Sequence, residues 1–386
     1  MLDLIKFELY KIFSKKSVKA VLLITVLFSA FYIFSDSIGM KSKGLDSLDD
    51  AYNIMKEHEG KVITEEGQAN IDKTLETLRQ KKENGQKLTK EEAVYMNYLS
   101  DAYLVIDPSY IINNKVYLTL DEIKNDISNL EKEGMINTYE HKNLKLIYNK
   151  VKNIQQPKYY SKFGWYRTTD FKVMAALISV LIVVGLASIF SDEYQSNSAQ
   201  IMLSCRKGKN KLVLSKIFAG LIFTVAVFII INGIFLMSAL RYNFVGWDKP
   251  LELFKYYRAT PFDIRIIDYY IAGLGISFIG AIAFALATML ISLLVKNNMM
   301  SLLLSLGIYY APKFIGDLIT IENIAKVFKE INFAAVLKVE GMFIDPDTFN
   351  ILGNPVLYST VLISLVAVFI PVVIYLIRYF GKRQTI

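Results

Sequence analysis

The sequence predicts an all-α integral membrane protein: six transmembrane helices with an α-helical extracytoplasmic domain inserted between the first and second spans. Three observations predict it. Six long runs lack Asp, Glu, Lys and Arg, basic residues gather on alternate sides of those runs, and one long polar segment separates the first run from the second. The composition agrees, with 53% hydrophobic and 21% charged residues among 386 and a mean hydropathy of +0.33. That is too apolar for a disordered chain or an ordinary cytosolic enzyme.

Residues 1–17 read as a cytosolic amphipathic elbow helix. Leu2, Ile5, Leu9, Ile12 and Phe13 fall on one helical stripe, and Lys6, Lys11, Lys15 and Lys16 supply the basic complement of a helix lying in the membrane interface. The plain alternative is a positive-inside flank.

The charge-free runs are Ala20 to Ser35, Val173 to Phe190, Ile217 to Leu240, Tyr269 to Val295, Asn297 to Pro312 and Pro355 to Ile377. Roughly 20 apolar helical residues cross about 30 Å of hydrocarbon. The first run, within residues 18–35, is expected to be a retained span, because no small-x-small cleavage signature ends it. The fifth is short, and a broken or re-entrant continuation past Pro312 through Phe314, Ile315, Leu318 and Ile319 is expected. Only Lys296 separates the fourth run from the fifth, so a tight turn must join them.

Residues 36–170 form the polar insert, with 20 basic and 22 acidic residues. Thr119-x-x-Glu122 is a capping-box pattern opening a stripe of Leu120, Ile123, Ile127 and Leu130. Thr89-x-x-Glu92 opens a second helix through Val94, Met96, Leu99 and Tyr103, and Ser47-x-x-Asp50 a third through Ala51, Ile54 and Met55. A further stripe runs through Leu144, Ile147, Tyr148 and Val151. A segment this long can bury a core of its own. His58 and His141 read as solvated helix residues.

Residues 171–190 are the second span, residues 191–211 a cytosolic loop, and residues 212–386 hold spans three to six with short connections. Counted near the span ends, fourteen basic and four acidic residues fall on the side of the N-terminus. This bias sets both termini in the cytosol of a multi-pass protein of the cell membrane, with the insert outside. The formal charge of +8 is thereby spent on orientation, which leaves no basic domain for nucleic acid.

Chemical motifs are missing. There is no Gly-x4-Gly-Lys-Ser/Thr phosphate loop, no His-Glu-x-x-His pair and no Gly-x-Ser-x-Gly elbow. One cysteine, Cys205, and two histidines supply no usual metal cluster. No catalytic residue, metal or cofactor is expected on this chain. Asn232 in the third span suits either a helix-packing hydrogen bond or a substrate contact. Gly273, Ser277, Ala281 and Ala285 recur every four residues and open one helical face to close approach, by a second subunit or within the chain.

The loop after the second span runs from Ser191 through Asp192, Glu193 and an apolar turn at Ile201, Met202 and Leu203 to Arg206, Lys207, Gly208 and Lys209, with Lys216 leading into the third span. This order of acidic, polar, apolar, basic-Gly-basic and lysine elements resembles the permease subunits of type-2 ABC exporters. The amphipathic N-terminus, six spans and exterior insert extend the resemblance over nearly the whole chain. The family often has Gly-Thr where this chain has Asn197-Ser198.

The resemblance implies a coupling helix seated in a separate ATPase, with Glu193, Gln200, Leu203, Arg206, Lys207 and Lys216 as the matching positions. It further implies cytosolic ABC ATPase subunits that hold ATP-Mg, a second permease chain, the same or different, and an amphipathic cargo: a peptide such as an antimicrobial, a lipid or a drug-like compound. Two rivals stand beside this exporter reading: a non-transporting membrane sensor or scaffold, and an ABC-linked mechanotransmitter acting through the exterior domain.

Overall fold

The structure is a computed structural model and describes residues 1–35, 48–62, 64–96, 110–113, 116–153, 158–160, 164–196, 208–254 and 257–383. Helix α1 (Leu2–Ser14) meets α2 (Lys16–Phe34) at the extended residue Lys15. Within the insert lie α3 (Leu48–Lys56), α4 (Glu65–Glu83), α5 (Lys90–Val94), the hairpin β1 (Tyr110–Asn113) and β2 (Val116–Thr119), α6 (Leu120–Lys132) and α7 (Tyr139–Val151). The rest comprises α8 (Trp165–Thr168), α9 (Phe171–Leu186), α10 (Ser191–Gln195), α11 (Gly208–Arg241), α12 (Ile266–Val295), α13 (Asn298–Leu318), α14 (Glu322–Glu330), α15 (Phe333–Lys338), α16 (Gly341–Ile344), the hairpin β3 (Thr348–Ile351) and β4 (Asn354–Leu357), and α17 (Tyr358–Arg383).

Six helical segments are long and apolar enough to cross a membrane: Lys16–Phe34, Trp165–Gln195, Asn210–Arg241, Ile266–Val295, Asn298–Leu318 and Tyr358–Arg383. Spans two, three and four form the buried centre, and spans one, five and six leave most of their surface outward. The third helix starts nine residues before its charge-free run and carries Lys211 and Lys216 within it. Its 34 residues measure about 51 Å, well beyond the hydrocarbon thickness.

The first and last described helices, α1 and α17, bring the start and the end of the described chain to one end. Glu8 of α1 contacts Lys216 near the start of α11, and Gly381 near the end of α17 sits directly against Val213. We call this the terminus end. At the opposite, insert end, the Tyr32 hydroxyl donates to Asp170, and the Arg167 guanidinium lies 4.0 Å over the Tyr32 ring. Span one is thereby clamped to span two. Asp170 also caps α9, accepting from the Val173 amide at 3.2 Å.

The turn between spans four and five is as tight as expected. Lys296 adopts a left-handed φ of 58°, and the Asn297 side chain caps α13 by accepting from the Met300 amide. Helix α13 runs unbroken past Pro312 to Leu318. Beyond Leu318 the chain folds back: α14 packs along α13, where Gly316 admits the Ala325 carbonyl and Lys329, and α15 wedges against spans two, four and five.

The structure corrects two expectations. The chain is mostly helical but not wholly so, because the described residues include two antiparallel hairpins. The β3–β4 loop consists of Leu352 (φ 51°) and Gly353 (φ 79°), the two left-handed residues of a tight primed turn, and Leu at the first of them hides that signal in the sequence. Nor is His141 solvated: it is 2% exposed, with Nε2 3.1 Å from Glu131.

The capping boxes at Thr89 and Thr119 form as read, each with reciprocal side-chain and backbone bonds to Glu92 and Glu122. Ser47, Leu99 and Tyr103 lie outside the described residues. The α6 stripe of Leu120, Ile123, Ile127 and Leu130 packs on Leu144, Ile147, Tyr148 and Val151 of α7, joined by Ala259. A second cluster joins Ala51, Met55, Ala93 and Val94 to Tyr242. Each insert cluster thus takes in a residue of the segment between spans three and four. Helix α7 also docks on the β3–β4 hairpin: the Thr348 hydroxyl donates to Asn143 Oδ1 at 2.6 Å, Tyr139 meets Thr348 at 2.8 Å, and Lys142 donates to Asn354 at 3.0 Å.

Candidate coupling junction

The terminus end holds a set of charged side chains drawn from four elements. Helix α1 turns Ile5, Glu8, Leu9 and Ile12 inward, with Ile12 at 2% and Glu8 at 1% exposure. A carboxylate that deep in an apolar bundle requires a partner. Lys216 of α11, fully buried, donates to Glu8 Oε2 at 3.1 Å, to Glu193 Oε1 at 2.7 Å and to the Ile189 carbonyl at 2.6 Å. Lys11 donates to the same two carboxylates, at 3.2 Å to Glu8 and 3.0 Å to Glu193. Two lysines and two glutamates form a closed, neutral square.

Outside the membrane-spanning segments, Lys11 shows the electrostatics directly. Burial alone would lower its ammonium, and the carboxylates of Glu193 and Glu8 reverse that, holding it above its ordinary value. Beside the square, Lys15 pairs with Asp192 at 2.5 Å and meets Ser188, while Asp192 accepts from the Asn298 side chain. Ser191 donates to Asn298 Oδ1 at 2.5 Å, and Ser292 of span four accepts the amides of Phe190 and Ser191. Lys296 sits 4.7 Å over the Tyr194 ring. The last turn of span two is therefore tied to α1, to span three and to the turn joining spans four and five.

This arrangement moves several residues from where sequence reasoning set them. Glu193 and Lys216 face inward and pair with each other instead of lining an open surface. Gln200, Leu203, Arg206 and Lys207 lie outside the described residues. In the elbow helix Ile5, Leu9 and Ile12 do pack on the core, and the Phe13 ring meets Phe223 edge-on at 5.3 Å, but Leu2 is 73% exposed. Lys11 and Lys15, read as part of the basic complement of an interfacial helix, instead turn toward the bundle and pair with Glu193 and Asp192.

The small-residue stripe of α12 is filled from within the chain. Gly273 admits the Phe171 ring, Ser277 donates to the Leu337 carbonyl at 2.9 Å, and Ala281 and Ala285 are fully buried. Asn232 bonds its own helix at Phe228, and its Oδ1 has no partner among the described residues.

Glu8 is the member that sequence reasoning missed. The available signal was its place in the line Ile5, Glu8, Ile12, an acid between two core-facing apolar residues on an otherwise basic helix. Lys216, one residue before an apolar run, carries the matching signal.

Fold and junction together define a multi-pass helical membrane protein whose N-terminal helix is locked by buried charges to its central spans. Compared with known proteins, the chain matches no family model and no curated sequence.

Proposed function

We propose that this chain is the permease subunit of an ATP-driven ABC exporter of the type-2 class, moving an amphipathic cargo with energy from separate ATPase subunits and working beside a second permease chain. The observation that carries the reading is the Glu8–Lys11–Glu193–Lys216 square. It ties α1, the end of span two and the first turns of span three, the two elements that flank residues 197–207. A displacement applied to that segment by an outside protein would reach α1 and spans two and three through contacts that do not yield singly, which is what a motor-driven membrane subunit requires. In this reading the termini are cytosolic, the loop residues Arg206 and Lys207 meet the ATPase, and Glu193 and Lys216 transmit its movement.

Co-purification of the full chain with candidate ATPases from the same cell tests the reading. An Arg206→Ala, Lys207→Ala variant is expected to lose the ATPase, whereas Glu193→Gln is expected to retain it and to uncouple hydrolysis from cargo. Failure of every candidate to associate with the wild-type chain removes the exporter reading.

A specific observation favours a second reading, mechanotransmission. Helix α7 of the insert is hydrogen-bonded to the hairpin that leads directly into span six, so movement of that span would move the insert. ATPase-dependent change in the insert without cargo movement would select it.

A further inference from the structure

A second charge cluster lies at the insert end and, unlike the junction, is unbalanced. Lys172 stands in the first turn of α9, Lys313 lies fifteen residues into α13, and Lys338 ends α15. Helix α15 is wedged among spans two, four and five. Gly280 of α12 leaves room for Val336, and Ser277 holds the Leu337 carbonyl at 2.9 Å. That wedge packs α15 against spans two and five, which carry Lys172 and Lys313. Burial, then the charges of Lys313 and Lys172, hold its ammonium below the ordinary value.

None of the three ammonium groups has a hydrogen-bond or ion-pair partner among the described residues. On neighbouring α14 the contrast is plain, since Lys326 pairs with Asp347 at 2.5 Å and Lys329 with Asp317 at 2.9 Å. Two carboxylates face the cluster. Asp170 is engaged by the Tyr32 hydroxyl and the Val173 amide. Glu340 accepts the Lys172 amide, and burial followed by the charge of Asp170 pushes it up to about 7. Even with both ionised, positive charge is left over, and like charges gathered this way call for an anion.

The height of the cluster fixes the kind of anion. Ser277 lies 18 residues from the end of α12 at Val295, about 27 Å along the axis, and Lys313 about 22 Å from Asn298. Ser277 thus lies near the far edge of a hydrocarbon layer about 30 Å thick, and Lys313 about 8 Å short of it, a depth from which a lysine side chain snorkels outward. Exposed Tyr310, Leu304 and Leu303 lie on α13 between Lys313 and the terminus end, on the membrane-centre side of the cluster. Charge at headgroup level beside apolar surface suits an amphiphile with an anionic head.

We propose that Lys172, Lys313 and Lys338 form a site for the phosphate of an amphiphile in the leaflet at the insert end, its acyl part running toward the membrane centre against Tyr310, Leu304 and Leu303. The site requires no ATPase and stands independently of the exporter reading.

The test uses the purified full chain in detergent micelles, titrated with dioleoylphosphatidic acid and read by native mass spectrometry. Wild type is expected to retain one saturable equivalent and to hold dioleoylphosphatidylcholine at least ten-fold more weakly. Lys172→Gln with Lys313→Gln changes two exposed residues, so the thermal midpoint should hold. Affinity should fall about 30-fold, from about five-fold per lysine near a membrane surface. Lys382→Gln, at the terminus end, should change affinity less than two-fold. Displacement of the lipid by millimolar inorganic phosphate would assign recognition to the phosphate alone; resistance to it would assign a lipid. Equal retention of the two lipids, or a double variant within two-fold of wild type, overturns the proposal and reduces the lysines to snorkelling anchors.

Discussion

Replacing Glu8 by Ala is the sharpest perturbation of the junction. It removes one corner of a neutral square and leaves Lys216, with no exposed surface, and Lys11 to share Glu193. At separations of 2.7 to 3.2 Å and an effective dielectric of about 20, each lysine–carboxylate contact carries roughly 5 to 6 kcal/mol of Coulomb attraction. Desolvation of both ions cancels most of that, yet removing one partner alone still costs about 3 to 5 kcal/mol, because the other charge remains buried. Glu8→Ala and Lys216→Met should therefore each destabilise by about 3 kcal/mol. The Glu8→Ala, Lys216→Met pair, which leaves Lys11 and Glu193 matched, should recover about 2 kcal/mol or more of the summed loss. Equilibrium unfolding of the purified chain in mixed micelles, run as a double-mutant cycle, measures this. Single losses below about 1 kcal/mol that add without coupling would refute the buried square.

Three further outcomes are expected. Gly185 lies where a Cβ would stand 2.3 Å from Phe223, so Gly185→Ala should cost about 1 to 3 kcal/mol by the same assay, and adding Phe223→Leu should relieve part of it. Burial, then the neighbouring Asp347, pushes Glu330 up to about 8, against the opposing pull of Lys326; burial and Asp347 also push Asp345 to about 6. Acids raised in the folded state bind more protons than when unfolded, so stability should fall as pH rises from about 4.5 to 8, and Glu330→Gln should flatten that slope in thermal melts. In a Cys205→Ser background, Asn143→Cys with Thr348→Cys should cross-link under mild oxidation, since the native side chains meet at 2.6 Å; absence of the product on gels would show that the insert does not dock on the β3–β4 hairpin.

The six spans were legible because hydrocarbon imposes a length and a lack of charge that no tertiary contact can waive. The insert helices at Thr89 and Thr119 were legible for an equally local reason, since a capping box satisfies backbone donors within four residues. The fold-back of α14 and α15 was not, because it depends on Gly280 and Gly316 offering gaps to residues further along the chain.

The junction shows the division most clearly. By itself, the sequence determined that Lys11, Lys15 and Lys216 stand near the membrane at the terminus end, where a one-sided count of charges suffices. Which way those lysines point was decided only by tertiary structure. Burial of Glu8 and Glu193 made inward pairing the lowest-energy arrangement, turning a row of interfacial lysines into a brace between three helices.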